Sequence, residues 1–476
     1  MRSQHKAVIV VGAGISGLSA AYFVREQSKA QQNPVELAVF EAQERPGGVI
    51  STTFHDGFVV ENGPDSFLTD KPWALALAYK LGLENELIGT REESRKIYVV
   101  RNGRLIEIPE GFYLLGPAKL APLFKSRALS LGGKLRAALD LALPRRSASN
   151  DESVGSFVKR RLGQEVLEYL VRPLVQGIYG VAAEQLSLRA ATPRFAELEQ
   201  RYRSVILGLR AMARQRQAGA QNAKGARLAL FVSFRRGMAT LVEALTKELT
   251  ASLRTATPVV ELTRSEEGWE VRLASSQTLR APVVILAIPP YEASRLLAKV
   301  APRLAGLLKK IPYGSATFVT LAYRADGTAR RLEGSGFVVP QVEGKAIAAC
   351  TFSSIKFAER APDGHLLVRV FIRDEVAQTL AGADNYRLID IAQAELRELL
   401  GIRSDPKFAF VQRHFRAMPQ YLVGHLERVQ SIERELKQYP GLLLAGGAYR
   451  GLGIPDCVRS AEEAARMALE SLARLG

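Results

Sequence analysis

The sequence predicts an α/β protein that combines a parallel sheet, a second, strand-rich domain and an α-helical insertion. The run KAVIVV at residues 6–11 predicts a buried strand, and a glycine-rich turn of the form GxGxxG follows it directly. A helical run and a second strand, at residues 18–25 and 36–41, complete a strand–helix–strand unit. Beyond residue 315, short runs that alternate apolar and polar residues predict a sheet with one covered face. Leucine- and alanine-rich runs between residues 117 and 213 predict the helical insertion.

The turn after the first strand is residues 12–17 (GAGISG), and each of its glycines has its own physical reason. Gly12 permits a tight turn, Gly14 lets the backbone approach a diphosphate, and Gly17 lets helix and strand pack closely. The N-terminus of the following helix offers unpaired N–H groups and a partial positive charge. Glu41 ends the second strand, where a carboxylate accepts hydrogen bonds from an adenosine ribose. Together these features predict a dinucleotide site rather than a simple glycine loop.

Composition and charge restrict the class of protein and its partners. With 476 residues, the chain is long enough for two or three domains. Its two cysteines form no disulfide framework or zinc cluster, and its five histidines lack metal-ligand spacing, so we expect no metal. The net charge of +17 predicts an anionic partner. Because we find no module with aromatic residues among basic ones, we expect an acidic substrate or a membrane surface and no nucleic acid.

Three loop segments, GAGISG, FEAQERPGG and ENGPDSF, occur in an order and spacing that resemble the FAD-dependent amine oxidase and porphyrinogen oxidase superfamily. The resemblance implies FAD as the cofactor and a two-dinucleotide-binding-type FAD domain. It implies that Arg45, Gly47 and Gly48 add a second contact to the diphosphate and ribityl chain, and that Val259 passes the adenine. The glycine turn before the last helix is expected to face the N1–C2=O edge of the flavin ring, where stabilised negative charge favours reduced flavin.

The cofactor candidates come from five parts of the chain. We expect the chemistry to be centred on the flavin, so no side chain is predicted to be catalytic. The candidates are Gly12, Ala13, Gly14, Ile15, Ser16, Gly17, Glu41, Ala42, Arg45, Gly47, Gly48, Gly63, Pro64, Asp65, Ser66, Val259, Gly446, Gly447, Gly453, Ile454, Pro455 and Asp456.

Further segments, among them RPLVQGIYG, MPQYLVGHLERV and GIPDCVRSAEEAA, resemble the porphyrinogen oxidases of haem biosynthesis over almost the whole chain. The resemblance is strongest to bacterial coproporphyrinogen III oxidases, and the protoporphyrinogen IX oxidases are close relatives that sequence does not separate cleanly. It implies that six hydrogens leave the porphyrinogen in three two-electron steps, and that oxygen reoxidises the flavin each time. Cationic side chains around an apolar pocket suit such a substrate, because the copro form carries four carboxylates and the proto form two.

Substrate contacts are expected from cations and from one sheet face. Lys71 follows the ENGPDSF loop, and Arg95 and Lys96 open a strand that faces the pocket in the family. The chain departs from the family at Ile97, because relatives carry a propionate-binding arginine directly before the tyrosine. Either one of the two neighbouring cations reaches the propionate instead, or the propionate is held elsewhere, and each cation also fits a plain surface charge. The substrate candidates are Lys71, Arg95, Lys96, Gly177, Val338, Thr351 and Phe371.

The strand-rich domain supplies three of these candidates. Val338, Thr351 and Phe371 match positions that sandwich the macrocycle in relatives. Phe371 either stacks on a pyrrole ring or packs in the core. His414 is a second departure, since relatives often place a tryptophan close to the flavin there. It either donates a hydrogen bond near the cofactor or fills space, and we do not expect it to be catalytic.

The helical insertion is unusually basic. Within residues 117–146 the only acid is Asp140, and the basic residues are Lys119, Lys125, Arg127, Lys134, Arg136, Arg145 and Arg146. Such a basic amphipathic helix pair can lie on an anionic membrane, and a solvated surface over an ordinary core face fits the pattern equally well. Residues 154–162, 165–175 and 195–213 predict further helices, with a break at residues 176–180, and residues 214–227 predict a mobile loop.

These patterns predict the domain organisation. We expect three FAD-binding segments, at residues 1–93, 231–292 and 429–476. Residues 94–110 and 293–428 are expected to form the substrate-binding domain, and residues 111–230 the helical insertion.

Other functions fit parts of the sequence. Amine oxidases flank the flavin with aromatic residues, as Tyr449 could do, and some attach it through a C-terminal cysteine, which is missing at Gly446 and Gly447. A carotenoid desaturase gives no reason for cations in the pocket. A non-catalytic lipid- or prenyl-binding protein of this fold would have lost the flavin, whereas the glycines and Glu41 are intact here.

The expected partners are a porphyrinogen, oxygen, an anionic membrane surface, a ferrochelatase that receives the product, and a second copy in a homodimer. The uncharged residues 7–24 are long enough to resemble a membrane span, but their glycine turn and the strand–helix–strand continuation argue against one. We expect a cytoplasmic protein that is either free or peripheral on the inner face of the membrane.

Overall fold

The computed structural model describes residues 6–146, 150–222, 229–266, 268–327, 332–382 and 384–475. Its first layer is a five-stranded parallel sheet. In spatial order the strands are Leu253–Arg254, Glu36–Phe40, Ala7–Val11, Val283–Leu286 and Leu442–Leu444. The central strand, Ala7–Val11, is apolar and buried throughout, as expected for a parallel strand that is covered on both faces.

The side chains of this central strand alternate between two cores. Val8 and Val10 pack in a core formed with the helices Ile15–Ala30, Pro72–Lys80, Ala239–Glu248 and Ile454–Leu475. Ile9 and Val11 pack in a second core on the opposite face. The elements of that second core are the antiparallel strands Val259–Ser265, Gly268–Leu273 and Thr278–Ala281 and the helices Pro290–Leu297, Pro302–Lys309 and His425–Leu436.

A seven-stranded sheet forms the second part of the molecule. In spatial order its strands are Phe408–Pro419, Tyr313–Arg324, His365–Ile372, Ile347–Phe352, Gly336–Val338, Ile97–Arg101 and Arg104–Glu107. One face is covered by the helices Asp374–Thr379 and Asn385–Leu400. The opposite face carries an apolar row that four strands hold in register: Val99, Val338, Ala349 and Phe371.

The helical insertion packs on this second face. Its helices are Leu120–Lys125, Leu131–Ala138, Val154–Leu162, Gln164–Val166, Arg172–Tyr179, Leu188–Ala191, Pro193–Tyr202 and Val205–Asn222. Their leucine, valine and phenylalanine side chains form one core with Val338 and Ala349 of the sheet. Asp140 is buried inside the insertion, where its Oδ1 accepts a hydrogen bond from Arg161 Nε at 2.6 Å. Its burial leaves the surface of residues 117–146, all of them described, with basic charges alone.

Short elements connect these parts. The small sheets and hairpins contain Phe67–Leu68, Phe231–Phe234 and Leu87–Gly89, then Thr52–His55 with Phe58–Glu61, and Phe112–Tyr113 with Gly116–Pro117. The short helices are Ser353–Lys356, the π-helical turn Leu167–Val171 and the 3-10 turns Glu84–Glu86, Glu92–Arg95, Leu139–Leu141, Ala325–Gly327 and Gln341–Glu343. None of the described helices combines the length and the apolarity that crossing a bilayer requires.

Three predictions for the insertion are wrong. Residues 195–213 form two helices rather than one, because Arg203 adopts a left-handed conformation (φ 62°) that ends the first of them. Residues 176–179, predicted as a break, continue the helix Arg172–Tyr179, which ends at Gly180 (φ 62°). Of the predicted loop at residues 214–227, residues 214–222 are helical, since alanine, arginine and glutamine favour helices, and residues 223–227 lie outside the described part.

Candidate cofactor and substrate site

The glycine-rich turn has the geometry of a diphosphate cradle. Gly12 has a φ of +97°, and a Cβ there would lie 2.8 Å from the carbonyl oxygen of Ala287. A Cβ on Gly17 would lie 1.8 Å from Gly12 O, so the helix packs directly on the turn. A Cβ on Gly14 would meet no described atom within 4 Å. Two glycines are thus required by the protein's own backbone, and the third opens onto free space.

The helix that follows presents its N-terminus to the same space. Gly14 is the N-cap of the helix Ile15–Ala30. Within the described chain no side chain caps this end, and no acid lies in its first turn. The first N–H groups therefore keep their hydrogen-bonding capacity and their partial positive charge for an anion.

Glu41 lies at the end of the second strand, beside the turn. Its Oε2 accepts a hydrogen bond from the backbone N–H of Ala13 at 2.7 Å, and its Oε1 accepts one from Gln43 at 2.9 Å. The backbone N–H of Thr257 donates to Glu41 O at 2.8 Å. This contact brings Val259, two residues farther on, to the same edge of the parallel sheet.

The second glycine loop packs against the first. The backbone N–H of Gly47 donates to Ala13 O at 2.7 Å, and Gly47 has a φ of +103°. Arg45 donates to Gly48 O at 2.7 Å and to Ile50 O at 3.1 Å. The guanidinium of Arg45 therefore fixes the curvature of its own loop, while Ala42 is exposed at the loop's start.

The third loop, residues 61–66, lies on the second. A Cβ on Gly63 would lie 2.0 Å from Val49 O, so the two backbones are in direct contact. Pro64 follows at the same place, and Ser66 Oγ donates to Asp65 Oδ1 at 2.7 Å.

The last helix, Ile454–Leu475, begins beside the first. A Cβ on Gly446 would lie 3.8 Å from Ser16 Oγ, and one on Gly447 would lie 3.1 Å from Cys457 Sγ. Burial raises the pKa of Cys457 to about 11, so its thiol stays protonated near neutral pH. The turn Gly453-Ile454-Pro455-Asp456 opens this helix. The structure thus brings together four of the segments that contain predicted cofactor residues: 12–17, 41–48, 63–66 and 446–456.

Lys71 joins this group rather than a separate substrate wall. Its Nζ lies 2.5 Å from Oδ2 of Asp456, whose side chain is buried in the first turn of the last helix. A carboxylate at a helix N-terminus is favourable, and the ammonium neutralises its charge. The pair ties the chain after residue 66 to the start of the last helix.

One face of the seven-stranded sheet borders the cofactor segments. Val338 lies opposite Ala349, which lies opposite Phe371, and residues two apart on a strand share a face, so Thr351 belongs to the same face. The ring of Phe371 lies 5.5 Å from that of Phe318. The structure therefore brings Val338, Thr351 and Phe371 to one largely apolar surface.

A comparison with known families decides where the chain belongs. A family model described as flavin containing amine oxidoreductase matches residues 15–469. The chain belongs to this family. Membership confirms the predicted flavin cofactor and the α/β fold class. The open space at Gly14 and the uncapped helix behind it fit the diphosphate of FAD.

Relatives of this oxidoreductase share its full length. The coproporphyrinogen III oxidase of Bacillus subtilis (strain 168) is 34% identical over 474 residues, which cover 99% of this chain and 100% of that protein. The coproporphyrinogen III oxidase of Staphylococcus aureus (strain NCTC 8325 / PS 47) is 31% identical, with coverages of 98% and 100%. A solved structure from Exiguobacterium sp. 255-15, provisionally assigned as a protoporphyrinogen oxidase, matches with a TM-score of 0.83 at 29% identity and covers 99% of this chain and 100% of its own. The predicted resemblance to porphyrinogen oxidases is confirmed.

Two cations that the sequence predicts as substrate contacts lie away from the sheet face of Val338, Thr351 and Phe371. The side chain of Arg95 is 76% exposed and pairs with Glu92 in a 3-10 turn. Lys96 Nζ lies 3.0 Å from Glu333, and Lys96 alternates with Ile97, so it points away from the face that carries Phe371. Gly177 lies on the helix Arg172–Tyr179, where a Cβ would meet no described atom within 4 Å.

Two cations that contact the third loop are not predicted from the sequence. Arg369 lies on the same strand and face as Phe371, and Lys356 ends the short helix Ser353–Lys356. Both contact Asp65 of the third loop. A signal was present, because an arginine interrupts the otherwise apolar run LLVRVFI of a strand. A charged residue in such a run requires a buried partner.

The structure gives positions to His414 and Tyr449, whose roles the sequence leaves open. A ring nitrogen of His414, Nε2, contacts the carbonyl oxygen of Asn62, so this side chain binds the third loop. Tyr449 is buried in the core behind the parallel sheet, and burial raises the pKa of its hydroxyl well above the usual value. Because Tyr449 lies in this core and not on the sheet face that carries Phe371, it gives no support to an amine oxidase function.

Proposed function

We propose that this oxidoreductase oxidises a porphyrinogen to a porphyrin in haem biosynthesis, with coproporphyrinogen III as the preferred substrate. The observation that carries the proposal is the full-length similarity to two coproporphyrinogen III oxidases, at 34% and 31% identity. Protoporphyrinogen IX is the second candidate substrate, favoured by the match to the Exiguobacterium structure. An amine oxidase is less supported, and the intact glycine turn argues against a non-catalytic lipid-binding protein that has lost its flavin.

FAD, when bound, supplies the two-electron acceptor that oxygen regenerates, so the six-electron oxidation uses three O2 and yields three H2O2. The first helix holds the diphosphate with its free N–H groups. The sheet face of Val338, Thr351 and Phe371, which the helical insertion covers, offers the macrocycle an apolar surface beside the third loop. No strong base is needed, because the one proton released in each two-electron step leaves to solvent.

The charge of the pocket rim bears on the choice between the two porphyrinogens. Lys71 is half-exposed beside the last helix, whereas Arg95 and Lys96 lie farther out, each paired with a glutamate. Because these three cations lie off the sheet face of Val338, Thr351 and Phe371, they do not by themselves favour four substrate carboxylates over two.

Aerobic turnover of freshly reduced coproporphyrinogen III and protoporphyrinogen IX, measured side by side by porphyrin fluorescence, tests the proposal. We expect kcat/KM to be at least about tenfold higher for the copro form, which corresponds to roughly 1.4 kcal/mol of transition-state preference. A preference for the proto form would overturn the substrate assignment. If yellow, flavin-loaded protein produces no porphyrin from either substrate, the proposed reaction is wrong.

A pair of variants tests the sheet face. Phe371→Leu is expected to raise KM for the porphyrinogen about threefold to tenfold, because an aromatic stacking partner is lost. Phe415→Leu is the matched control, since Phe415 is 81% exposed at the edge of the same sheet, and it is expected to keep the wild-type KM. Equal effects of the two changes would contradict the assignment of the face.

We also propose that the helical insertion docks on an anionic membrane. Leu131, Leu135 and Leu139 are 67%, 54% and 53% exposed, and their spacing places them on one side of a helix, which we name the leucine stripe. Lys125 and Arg127 are exposed beside it. Exposed leucines with cations beside them are typical of a helix that lies in the headgroup region of anionic lipid.

Sedimentation with vesicles tests the docking surface. Vesicles that contain phosphatidylglycerol are expected to bind the protein, and pure phosphatidylcholine vesicles are expected to bind it far less. Replacing all three leucines of the stripe by serine is expected to weaken binding at least about tenfold. The control replaces Val342 and Tyr386 by serine, because both are exposed on another part of the molecule. Unchanged binding by the stripe variant would refute the docking surface.

A ferrochelatase that receives the product and a homodimer stay predictions. Cytoplasmic localisation likewise stays a prediction, as do the domain boundaries at residues 93, 110, 230, 292 and 428.

A further inference from the structure

The loop of residues 61–66 is held by side chains from the other half of the molecule. The loop joins the strand Phe58–Glu61 to the strand Phe67–Leu68, and it packs on the second glycine loop of the cofactor site. Its bonding partners come from two strands and one helix of the seven-stranded sheet region. The position of this cofactor loop is therefore linked to the position of the seven-stranded sheet.

Arg369 makes the most direct of these contacts. Its Nη1 donates to Gly63 O at 2.7 Å, and its Nη2 lies 3.4 Å from Asp65 Oδ2. The guanidinium carbon also lies 4.9 Å from the ring centre of Phe318 and 5.1 Å from that of Phe371. One guanidinium thus contacts both the loop and two aromatic rings of the substrate face.

Lys356 completes the charge balance at Asp65. Its Nζ lies 3.0 Å and 2.9 Å from the two oxygens of Asp65 and 3.2 Å from Ser66 Oγ. Burial alone would raise the pKa of Asp65, but Lys356 and Arg369 outweigh it and hold the pKa well below its usual range. The carboxylate is therefore charged at any physiological pH, and the two cations compensate it.

The burial of Arg369 carries a free-energy cost. Its side chain is 8% exposed, and its Nε has no hydrogen-bond partner within the described chain. Buried polar atoms without partners are rare and destabilising.

Arg360 provides a natural comparison. It is as buried as Arg369, with 2% of its side chain exposed, and its Nη2 lies 3.7 Å from Glu61 Oε1. Its hydrogen bonds go to Ser233 and to the carbonyl oxygens of Phe234 and Arg235. These hydrogen bonds hold Arg360 to the strand Phe231–Phe234 and the residue after it, and none of them goes to Gly63 or Asp65.

We propose that Arg369 is a positioning residue, which with Lys356 and Asp65 sets the Gly63–Asp65 backbone against the flavin and ties it to the aromatic floor of the substrate pocket. Loss of this arginine weakens the hold on FAD and alters the flavin's surroundings, in addition to any effect on stability. The inference requires only the flavin cofactor, so its failure is distinguishable from a failure of the proposed porphyrinogen chemistry.

The test compares Arg369→Lys and Arg369→Gln with Arg360→Lys in purified holoenzyme. Flavin fluorescence measures the Kd for FAD, and the visible spectrum reports the surroundings of the bound flavin. We expect Kd to rise about tenfold in Arg369→Gln, because charge-assisted bonds are lost, and less in Arg369→Lys, which keeps the charge. Both are expected to shift the visible band, whereas Arg360→Lys lowers the melting temperature and keeps the wild-type spectrum and a Kd within about twofold.

Two results would overturn the proposal. One is a wild-type Kd and spectrum in both Arg369 variants. The other is equal weakening of FAD binding by Arg360→Lys, which would indicate a general effect of stability. If the Arg369 variants do not fold, Lys356→Gln takes their place, since Lys356 is partly exposed. It is expected to raise the Kd about threefold or more, and an unchanged Kd would count against the proposal.

Discussion

His425 is a single residue whose charge state the fold controls. It is completely buried, its Nε2 lies 2.9 Å from Tyr449 O, and its ring stacks on Tyr421 at 3.9 Å. Burial lowers its pKa from 6.5 to about 4. The unfolded chain therefore binds a proton at a higher pH than the native one does. Stability from this residue is complete above about pH 6.5 and declines as the pH falls towards 4, by about 3 kcal/mol in total.

Urea unfolding at a series of pH values between 7 and 4 checks this prediction. His425→Gln is expected to be less stable at pH 7, because a stacked ring is lost, and to show a smaller decline in the free energy of unfolding. His365→Gln, at a histidine that contacts Asp363 O near the surface, is the control and is expected to retain the wild-type decline. The same slope in all three proteins would contradict the role of His425.

At the scale of an element, different glycines of the glycine-rich turn serve folding and cofactor binding. Gly14 has an ordinary φ of −68°, and a Cβ there meets no described atom within 4 Å. Gly14→Ala is therefore expected to fold with a near-wild-type melting temperature but to lose most of its FAD affinity, because the methyl group occupies the diphosphate space. Circular dichroism of the flavin-free protein and flavin fluorescence measure the two effects separately.

The matched change at the other end of the same turn is Gly17→Ala. Its methyl group would lie 1.8 Å from Gly12 O, so the first helix must move away from the first strand. We expect a loss of several kcal/mol of stability, which is large for one methyl group. Similar melting temperatures for the two variants would show that the turn adjusts more easily than its backbone contacts indicate.

At the scale of the whole molecule, neither large sheet is built from one continuous piece of chain. The strands of the parallel sheet come from both ends of the chain, from Ala7–Val11 to Leu442–Leu444. The strands of the seven-stranded sheet, which begin with Ile97–Arg101, lie between these two in the sequence. The ion pairs of Asp65 then bind one part to the other. Because each part depends on segments that flank the other, we expect a single cooperative unfolding transition.

Removal of FAD tests this expectation in calorimetry. FAD at a hundred times its Kd stabilises the native state by roughly 2.7 kcal/mol, so the single transition is expected to move down by several degrees in the flavin-free protein. Two transitions, of which only one responds to FAD, would mean that the substrate sheet unfolds independently of the cofactor domain.

Local patterns made much of the cofactor site predictable. The strand before Gly12, the helix after it and the acid at Glu41 lie within 40 residues of one another, and short-range sterics and helix polarity decide their geometry. The glycine turn before the last helix was predicted by the same logic. The ends of the helices were less predictable, because a left-handed residue such as Arg203 leaves no reliable sequence signal.

Sequence alone established the α/β fold class, the dinucleotide motif and, through resemblance, the flavin family. Only the tertiary structure decided which charges meet: Asp65 pairs with Lys356 across 291 positions, and Lys71 with Asp456 across 385. It also decided that Asp140 faces the core while Leu131 faces solvent. The physical reason is that periodicity reports which residues share a face, whereas burial and pairing depend on which other element covers that face.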